Sequence, residues 1–368
     1  MHVVTLSRGE GSRSLDAGLH ASLCCIVGGA GDGTKLRSGQ VEAAGRRLRT
    51  GVRECPFGAA PRASGILALV SDSTGTTRCP ACRGDRLSPA VPAPDREYRI
   101  PHVARYATCL SCGSLSQWPM PTFAELGAFY PPGYHAATAH GLLNRARHAL
   151  RLRSLAPLLE GDGALLDYGC GNGAFLTWAA DRLRGRPLFG YEIGPRREVE
   201  RLAGGAVTIV RGAPHDLMEL LPPCRLVTMN HVIEHLPDPF ETVSALVERL
   251  VVGGAIAGQT PAADSLEHRL FGTRWSGYHA PRHTVIFSRA GLRALLESAG
   301  LADVRVGAGF NPAGLAVSLA SLTRSPRRGI RRSGLGWVWW LGWATLLSPI
   351  DLLSGAGGIM NFVGYRQR

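Results

Sequence analysis

The chain has 368 residues, 45% of them apolar, enough to bury a full core and to fill two domains, which excludes a chain that is disordered throughout. Its formal charge of +13, from 41 Lys+Arg against 28 Asp+Glu, is overwhelmingly arginine and favours phosphate, nucleic acid or anionic headgroups as neighbours; a high genomic G+C content alone also produces an Arg-, Ala- and Gly-rich chain. Four of the nine cysteines fall in two Cys-x-x-Cys pairs, which without a convincing signal peptide read as metal ligands in a reducing compartment rather than as a disulfide framework, so the expected location is the cytoplasm.

From Met1 to about Thr74 the sequence is rich in Gly, Ser, Ala and Arg, holds no sustained period and is predicted not to fold. Leu23–Val27 is shorter than a signal core, and Glu10 and Asp16 sit where a basic flank belongs. The alternative is that synthesis starts near Val70, which would leave Cys24, Cys25 and Cys55 without function.

Cys79-Pro-Ala-Cys82 and Cys109-Leu-Ser-Cys112 are separated by 26 residues, and each pair is a tight turn able to aim two thiolates at one tetrahedral zinc. Four thiolates leave such an ion no open position, so its role would be structural, and its binding energy would become folding energy. Iron–sulfur ligation and a redox dithiol are the alternatives; Pro80 and the surrounding Arg and Gly argue against the dithiol. The expected division is a ribbon over 75–118, a linker and helix over 119–150, and an α/β domain over 151–368.

A helical pattern from Leu142 to Leu159 leads into an apolar strand, Ala164–Tyr168, then a turn with Gly169, Gly171 and Gly173, a helix to about Leu183, and a strand at Pro187–Tyr191. Short apolar strands alternating with helices predict a doubly wound parallel sheet, with ligands at the carboxyl ends of the strands. The bare glycine turn lets backbone N–H groups approach a ligand, although Gly169-x-Gly171-x-x-Ala174 also satisfies the dinucleotide fingerprint. Glu192, about 20 residues on, stands where a carboxylate accepts from both ribose hydroxyls of an adenosine cofactor.

Asn230-His-Val-Ile-Glu-His235 crosses from a strand into a helix; His231 and His235 are candidate general bases, and Glu234 could fix a ring tautomer or serve only as a dipole-stabilised helix start. Phe271–Ser288 adds His279 and His283 as a second catalytic set, with Trp275, Tyr278 and Arg282 as substrate-binding candidates, the arginine suited to an acidic acceptor.

Three stretches, Leu-Asp-Tyr-Gly-Cys-Gly-Asn-Gly at 166–173, Asn-His-Val-Ile-Glu-His-Leu-Pro-Asp-Pro at 230–239 and Val-Gly-Gly-Ala-Ile-Ala-Gly-Gln-Thr-Pro at 252–261, resemble class I S-adenosylmethionine-dependent methyltransferases. The resemblance covers about 145–312 and resumes in the last ten residues. It implies a seven-stranded Rossmann-like methyltransferase sheet with S-adenosylmethionine as cofactor. Asp167, Gly169, Cys170, Gly171, Gly173, Glu192 and Asn230 would bind that cofactor, Asp167 through its own turn or the cofactor's amino group. More loosely, the front end resembles a bacterial subgroup with a four-cysteine zinc ribbon, several of which modify sugars or other small molecules. Two departures stand out: no acid follows Gly212, where His215 or Asp216 would have to substitute, and Arg225 stands where relatives carry Asp.

Val304–Ala308 and Met360–Gly364 are predicted as antiparallel sixth and seventh strands. Between them lie two apolar runs, Ala313–Leu322 and Leu335–Ile350, separated by five arginines. The second run, with four tryptophans, is short for a membrane span, which needs about 20 residues; it reads as a membrane-surface contact or as a lid packed on the sheet or a second subunit. The expected activity is methyl transfer to a small molecule (sugar, glycolipid or secondary metabolite), with oxygen as acceptor. RNA methylation and a non-catalytic, membrane-associated binding module are the alternatives.

Overall fold

The computed structural model describes residues 78–130, 142–194, 196–323, 329–330, 332 and 334–367, all within the unit Gly65–Arg368. The expectation for 1–74 lies outside the described residues, as do Tyr134 and the arginines 324, 327, 328 and 331.

At the front, β1 (Val91–Pro94), β2 (Val103–Thr108) and β3 (Leu115–Gln117) form an antiparallel ribbon, followed by α1 (Phe123–Gly127). Thr122 and Glu125 cap that short helix reciprocally, each side chain bonding the other's backbone N–H. The second domain opens with α2 (Leu142–Leu155) and a single tighter turn, Ala156–Leu159. It continues β4 (Ala164–Tyr168), α3 (Ala174–Ala180), β5 (Leu188–Ile193), β6 (Glu198–Leu202), β7 (Val207–Gly212), α4 (Pro214–Leu220), β8 (Cys224–Asn230), α5 (Pro239–Arg249) and β9 (Leu250–Pro261). After α6 (Leu266–Phe271) come β10 (Val285–Ile286), α7 (Arg289–Ser298), β11 (Leu301–Gly309), α8 (Pro312–Thr323), α9 (Leu335–Leu353) and β12 (Ile359–Arg366).

The large sheet runs β11-β12-β9-β8-β4-β5-β7-β6, with β7, β5, β4, β8 and β9 parallel and β12 antiparallel between β9 and β11. Every residue of β4 is buried, as expected of a central parallel strand covered on both faces. This is the doubly wound, Rossmann-like order, and the predicted antiparallel pair at the carboxyl end is present. The sheet has eight strands rather than the expected seven: Glu198–Leu202 adds an antiparallel edge on β7. Its composition, Glu-Val-Glu-Arg-Leu, carries little apolar alternation because one ladder and one solvated rim suffice for an edge.

The ribbon is not self-contained over 75–118. Its fourth strand is β10, which pairs Val285 with Ser116 and Ile286 with Leu115. The chain segment at 271–288 is therefore stitched to the ribbon, and the two together wall one side of the strand ends.

Candidate active site

At the carboxyl end of β4 the chain turns through Gly169 and Gly171, at φ +77° and +59°, conformations that L side chains rarely adopt. A Cβ at Gly169 would come within 2.4 Å of Val232, whereas one at Gly171 meets nothing within 4 Å and would project into open space. Gly173 ends the turn as the left-handed cap of α3, and Cys170 packs its sulfur beneath the turn on Gly190, its thiol pushed up by burial. Glu192, at the end of β5, accepts a hydrogen bond from Gly171 N–H at 2.7 Å. The carboxylate predicted to hold the ribose thus stands over the bare turn.

Asp167 does not bond its own turn. Its carboxylate accepts from Arg151 at 2.6 and 3.3 Å and from Thr228 Oγ1 at 2.7 Å. Arg151 reaches across from α2, stacks on Phe175 at 3.9 Å and also donates to Thr228. With the Asn230 amide in the orientation that satisfies both partners, its oxygen accepts from Arg151 at 2.7 and 3.2 Å. A cation, a carboxylate and an amide therefore meet beside the glycine turn, and the sequence reading missed the cation. Neither departure opens this site. Arg225 donates to the Leu158 carbonyl, and Asp216 accepts from Ala213 N–H at the start of α4.

The histidines converge on the neighbouring strand ends. His231 sits at φ +54°, an uncommon conformation for a non-glycine residue, with nearly half its side chain open. Its Nδ1 lies 3.2 Å from Glu234 Oε1 and its Nε2 3.1 Å from Gln259 Oε1. Burial would lower its pKa, but the bonds to Glu234 and Gln259 outweigh that and raise it. Glu234 is wholly buried and also accepts from Thr260 Oγ1 at 3.0 Å; burial pushes its carboxyl up, and the His231 contact brings it below the usual range.

His235 Nδ1 faces two oxygens, the Arg282 carbonyl at 3.0 Å and Tyr130 Oη at 2.9 Å. A carbonyl only accepts, so Nδ1 carries the proton and Nε2 holds the lone pair. By the same reasoning His283 donates Nδ1–H to the Gly277 carbonyl at 2.8 Å, leaving its Nε2 to approach Glu234 Oε1 at 3.9 Å. Burial keeps both rings neutral, lowering His235 to about 4 and His283 well below the ordinary range. The two rings lie 4.6 Å apart, and ligand atoms of Glu234, His235 and His283 all fall within 4.8 Å of one another. His279, at φ +36°, bonds Glu97 at 2.9 Å.

The other members of the 271–288 set are buried. Arg282 is fully buried and forked on Asp95 at 3.1 and 3.3 Å over the Tyr98 ring, so it holds the ribbon loop instead of awaiting an acidic acceptor. Trp275 and Tyr278 are 2% and 6% exposed, Trp275 tilted against His268 and Tyr278 bonded to it at 3.2 Å. Asp95, Glu97 and Tyr130 are not among the predicted site residues; each lies in a loop, and the pairing of β3 with β10, with the bonds of Gln117 and Tyr106 to 281–283, brings the ribbon to the histidines.

The four cysteines form a separate centre. Cys79–Cys112 and Cys82–Cys109 sulfurs are 3.7 and 3.6 Å apart, all four lie within 4.8 Å, and all are free thiols. Positive φ at Arg83 and Gly113, just past each pair, closes the two knuckles. Ser288 caps α7 and also bonds the Cys112 carbonyl, joining this centre to the large domain.

Residues 139–306 match the family model described as a methyltransferase domain. No curated protein sequence matches the chain. Among solved structures it is similar to an S-adenosylmethionine-dependent methyltransferase from Archaeoglobus fulgidus, with 20% identity, coverage of 60% of this chain and 94% of that one, and a TM-score of 0.39. It is also similar to one from Thermotoga maritima (17%, 61% and 92%, 0.37) and to phosphoethanolamine N-methyltransferase 2 of Haemonchus contortus (12%, 61% and 53%, 0.38). The glycine turn, Glu192 and the Asp167 cluster all lie in the matched segment, and the chain carries a methyltransferase domain at 139–306.

Proposed function

We propose that the enzyme methylates an oxygen of a small molecule such as a sugar, a glycolipid or a secondary metabolite. The observation that carries this reading is His235, a neutral histidine whose Nδ1 is tied to a carbonyl, whose Nε2 keeps its lone pair, and which lies three residues after Val232, the residue packed on Gly169 of the turn. A hydroxyl acceptor must lose a proton as it is methylated, and a positioned neutral imidazole takes it. Bound S-adenosylmethionine would supply an activated methyl on a sulfonium, with a neutral thioether as the leaving group when the acceptor oxygen takes that carbon. The chain's residues orient the partners for this in-line displacement and exclude water from it.

In this reading Glu192 accepts from the ribose hydroxyls. Arg151 and Asp167 part to receive the carboxylate and ammonium of the methionine end, a zwitterion matched charge for charge. His235 Nε2 takes the acceptor's proton. The Glu234–His231 pair sets the field beside it, and Tyr130, sharing the Nδ1–H, holds the ring. Asn230 and Cys170 line the turn. His279 and His283 flank the acceptor.

The thiol centre suits zinc. A tetrahedral ion about 2.3 Å from each sulfur sets sulfur–sulfur spacings of about 3.8 Å, close to the 3.6 and 3.7 Å observed. Such an ion would fix the ribbon and, through Ser288 and β10, the acceptor wall. An RNA acceptor is disfavoured because the basic residues around the cysteines are not interleaved with stacking aromatics.

The test is a transfer assay: purified enzyme, labelled S-adenosylmethionine and fractionated small-molecule extract. Label that hydriodic acid releases as methyl iodide, as from a methyl ether, and that is lost with His235→Gln, supports oxygen methylation, and label that stays on nitrogen or carbon contradicts it. Label in RNA, or no transfer despite tight cofactor binding, contradicts it.

A further inference from the structure

From Leu335 to Ile350 helix α9 carries no charged residue on any side, its one acid, Asp351, coming in the last turn, yet only one side is packed. Ala344 and Ser348 are buried and Trp337, Trp340 and Leu341 half-buried against α8, a row spaced three to four residues apart. On the opposite side Leu335, Val338, Trp339, Leu346 and Ile350 are exposed by 60% or more, with Trp343 beside them at 47%. A contiguous apolar face of this kind on a folded domain marks a surface that meets another apolar phase. Among the described residues no helix is long and apolar enough to cross a membrane, so α9 can lie on one but not span it.

Charge and position identify the occupant. From Val304 to Ile350 the sequence contains no acid and six arginines. Four of these fall outside the described residues, but the basic, acid-free character of the stretch is a property of the sequence, within a chain of net charge +13. Tryptophans on an apolar helix that directly follows an arginine-rich, acid-free segment suit the headgroup layer of an anionic bilayer. A second copy of the chain would bring like charge to like charge.

The hairpin is also rooted on the acceptor wall. Ser276 N–H donates to Ser318 on α8 at 3.0 Å, and Arg274 and Ser321 exchange hydrogen bonds at 3.2 and 2.8 Å. Ahead of α9, Arg332 pairs with Glu97, whose other oxygen bonds His279. Two polar contacts thus connect the foot of the apolar face to a histidine of the acceptor side.

We propose that α9 lays its open face on an anionic lipid surface and that the acceptor is a hydroxyl-bearing, lipid-carried molecule met at that surface. The second clause rests on the methyl-transfer reading; the first does not. Flotation of the full chain with vesicles of phosphatidylcholine and phosphatidylglycerol in equal parts, and with phosphatidylcholine alone, tests the docking. The expected result is recovery with the anionic vesicles, reduced about tenfold in neutral vesicles or high salt, and lost in Trp339→Ser/Trp343→Ser. Both tryptophans are exposed, so the variant should keep the wild type's heat of S-adenosylmethionine binding, which shows that the fold survives. Protein left at the bottom with anionic vesicles, equal flotation by the variant, or a dimer in sedimentation that the variant abolishes would overturn the docking. Labelled methyl transferred in membrane extracts should enter the solvent-extractable lipid. Transfer into water-soluble material alone overturns the lipid-carried acceptor while leaving methyl transfer intact, and absence of cofactor binding would instead sink the methyltransferase reading.

Discussion

Arg151 and Asp167 meet at 2.6 Å across the mouth of the glycine turn, one from α2 and one from the end of β4. In the proposed reading these are the two charges that receive the zwitterion of the methionine end. Arg151→Ala should therefore weaken S-adenosylmethionine binding by about tenfold or more, the loss of a charge-assisted contact. Arg151→Lys, a point charge without the fork, should recover only part of it. Calorimetry of the two variants checks both.

His235→Gln should lower kcat by about 10²- to 10⁴-fold with little change in cofactor affinity, as expected for removing a general base. Tyr130→Phe should cost less, since Arg282's carbonyl still fixes the ring. Steady-state kinetics on the identified acceptor, set beside cofactor titration, separates the two effects.

The pH profile follows from the His235 shift. With its pKa lowered from 6.5 to about 4, the ring is neutral and ready to accept a proton throughout the neutral range. Turnover should stay level toward acid and fall as pH drops through about 4. The same shift acts on stability. The unfolded chain takes up a proton below 6.5 that the folded site refuses, so this contribution is complete above 6.5 and declines as pH falls toward 4. Glu97 has the same sign. Burial would raise its pKa, but His279 and Arg332 hold it near 2 against an ordinary 4.5, so its contribution is present above 4.5 and is lost between 4.5 and 2. Thermal melts at stepped pH should show a lower Tm across these windows.

Asp95→Ala should be severely destabilising, about 3–5 kcal/mol, because it strands the fully buried Arg282 charge between ribbon and large domain. Replacing both partners with apolar residues should restore much of the loss. Denaturant unfolding of the single and double variants measures this.

Metal analysis of protein purified without chelator should find one zinc per chain, and Cys79→Ser or Cys112→Ser should lose it. Since the ribbon sheet is completed by β10, loss of the ion should also loosen 271–288, seen as faster amide exchange there than in β4.

The parts of the fold that the sequence makes legible are those governed by local rules. The strand at 164–168 is found to the residue because a buried parallel strand is continuously apolar and its glycine turn needs a backbone without side chains. The antiparallel pair at the carboxyl end follows the same logic. Contacts that join distant loops leave no such trace. Arg151 is one of four arginines on α2, and nothing in the helical pattern separates it from Arg145, Arg147 or Arg153. Arg282 stands out by its chemistry, but its partner Asp95 lies 187 residues away in a turn, and the pairing of β3 with the two residues of β10 and the bonds of Gln117 to the 281 and 283 carbonyls bring them together. The edge strand β6 escaped because its charged sequence obeys solvent rather than a core.

The account rests on the cofactor cradle, and titration calorimetry with S-adenosylmethionine tests it most directly. The account predicts binding at roughly micromolar levels, about −8 kcal/mol, abolished by Gly171→Val, which fills the open side of the turn, and strongly weakened by Glu192→Ala. Absence of heat with the folded wild-type chain, or undiminished binding by both variants, would contradict it.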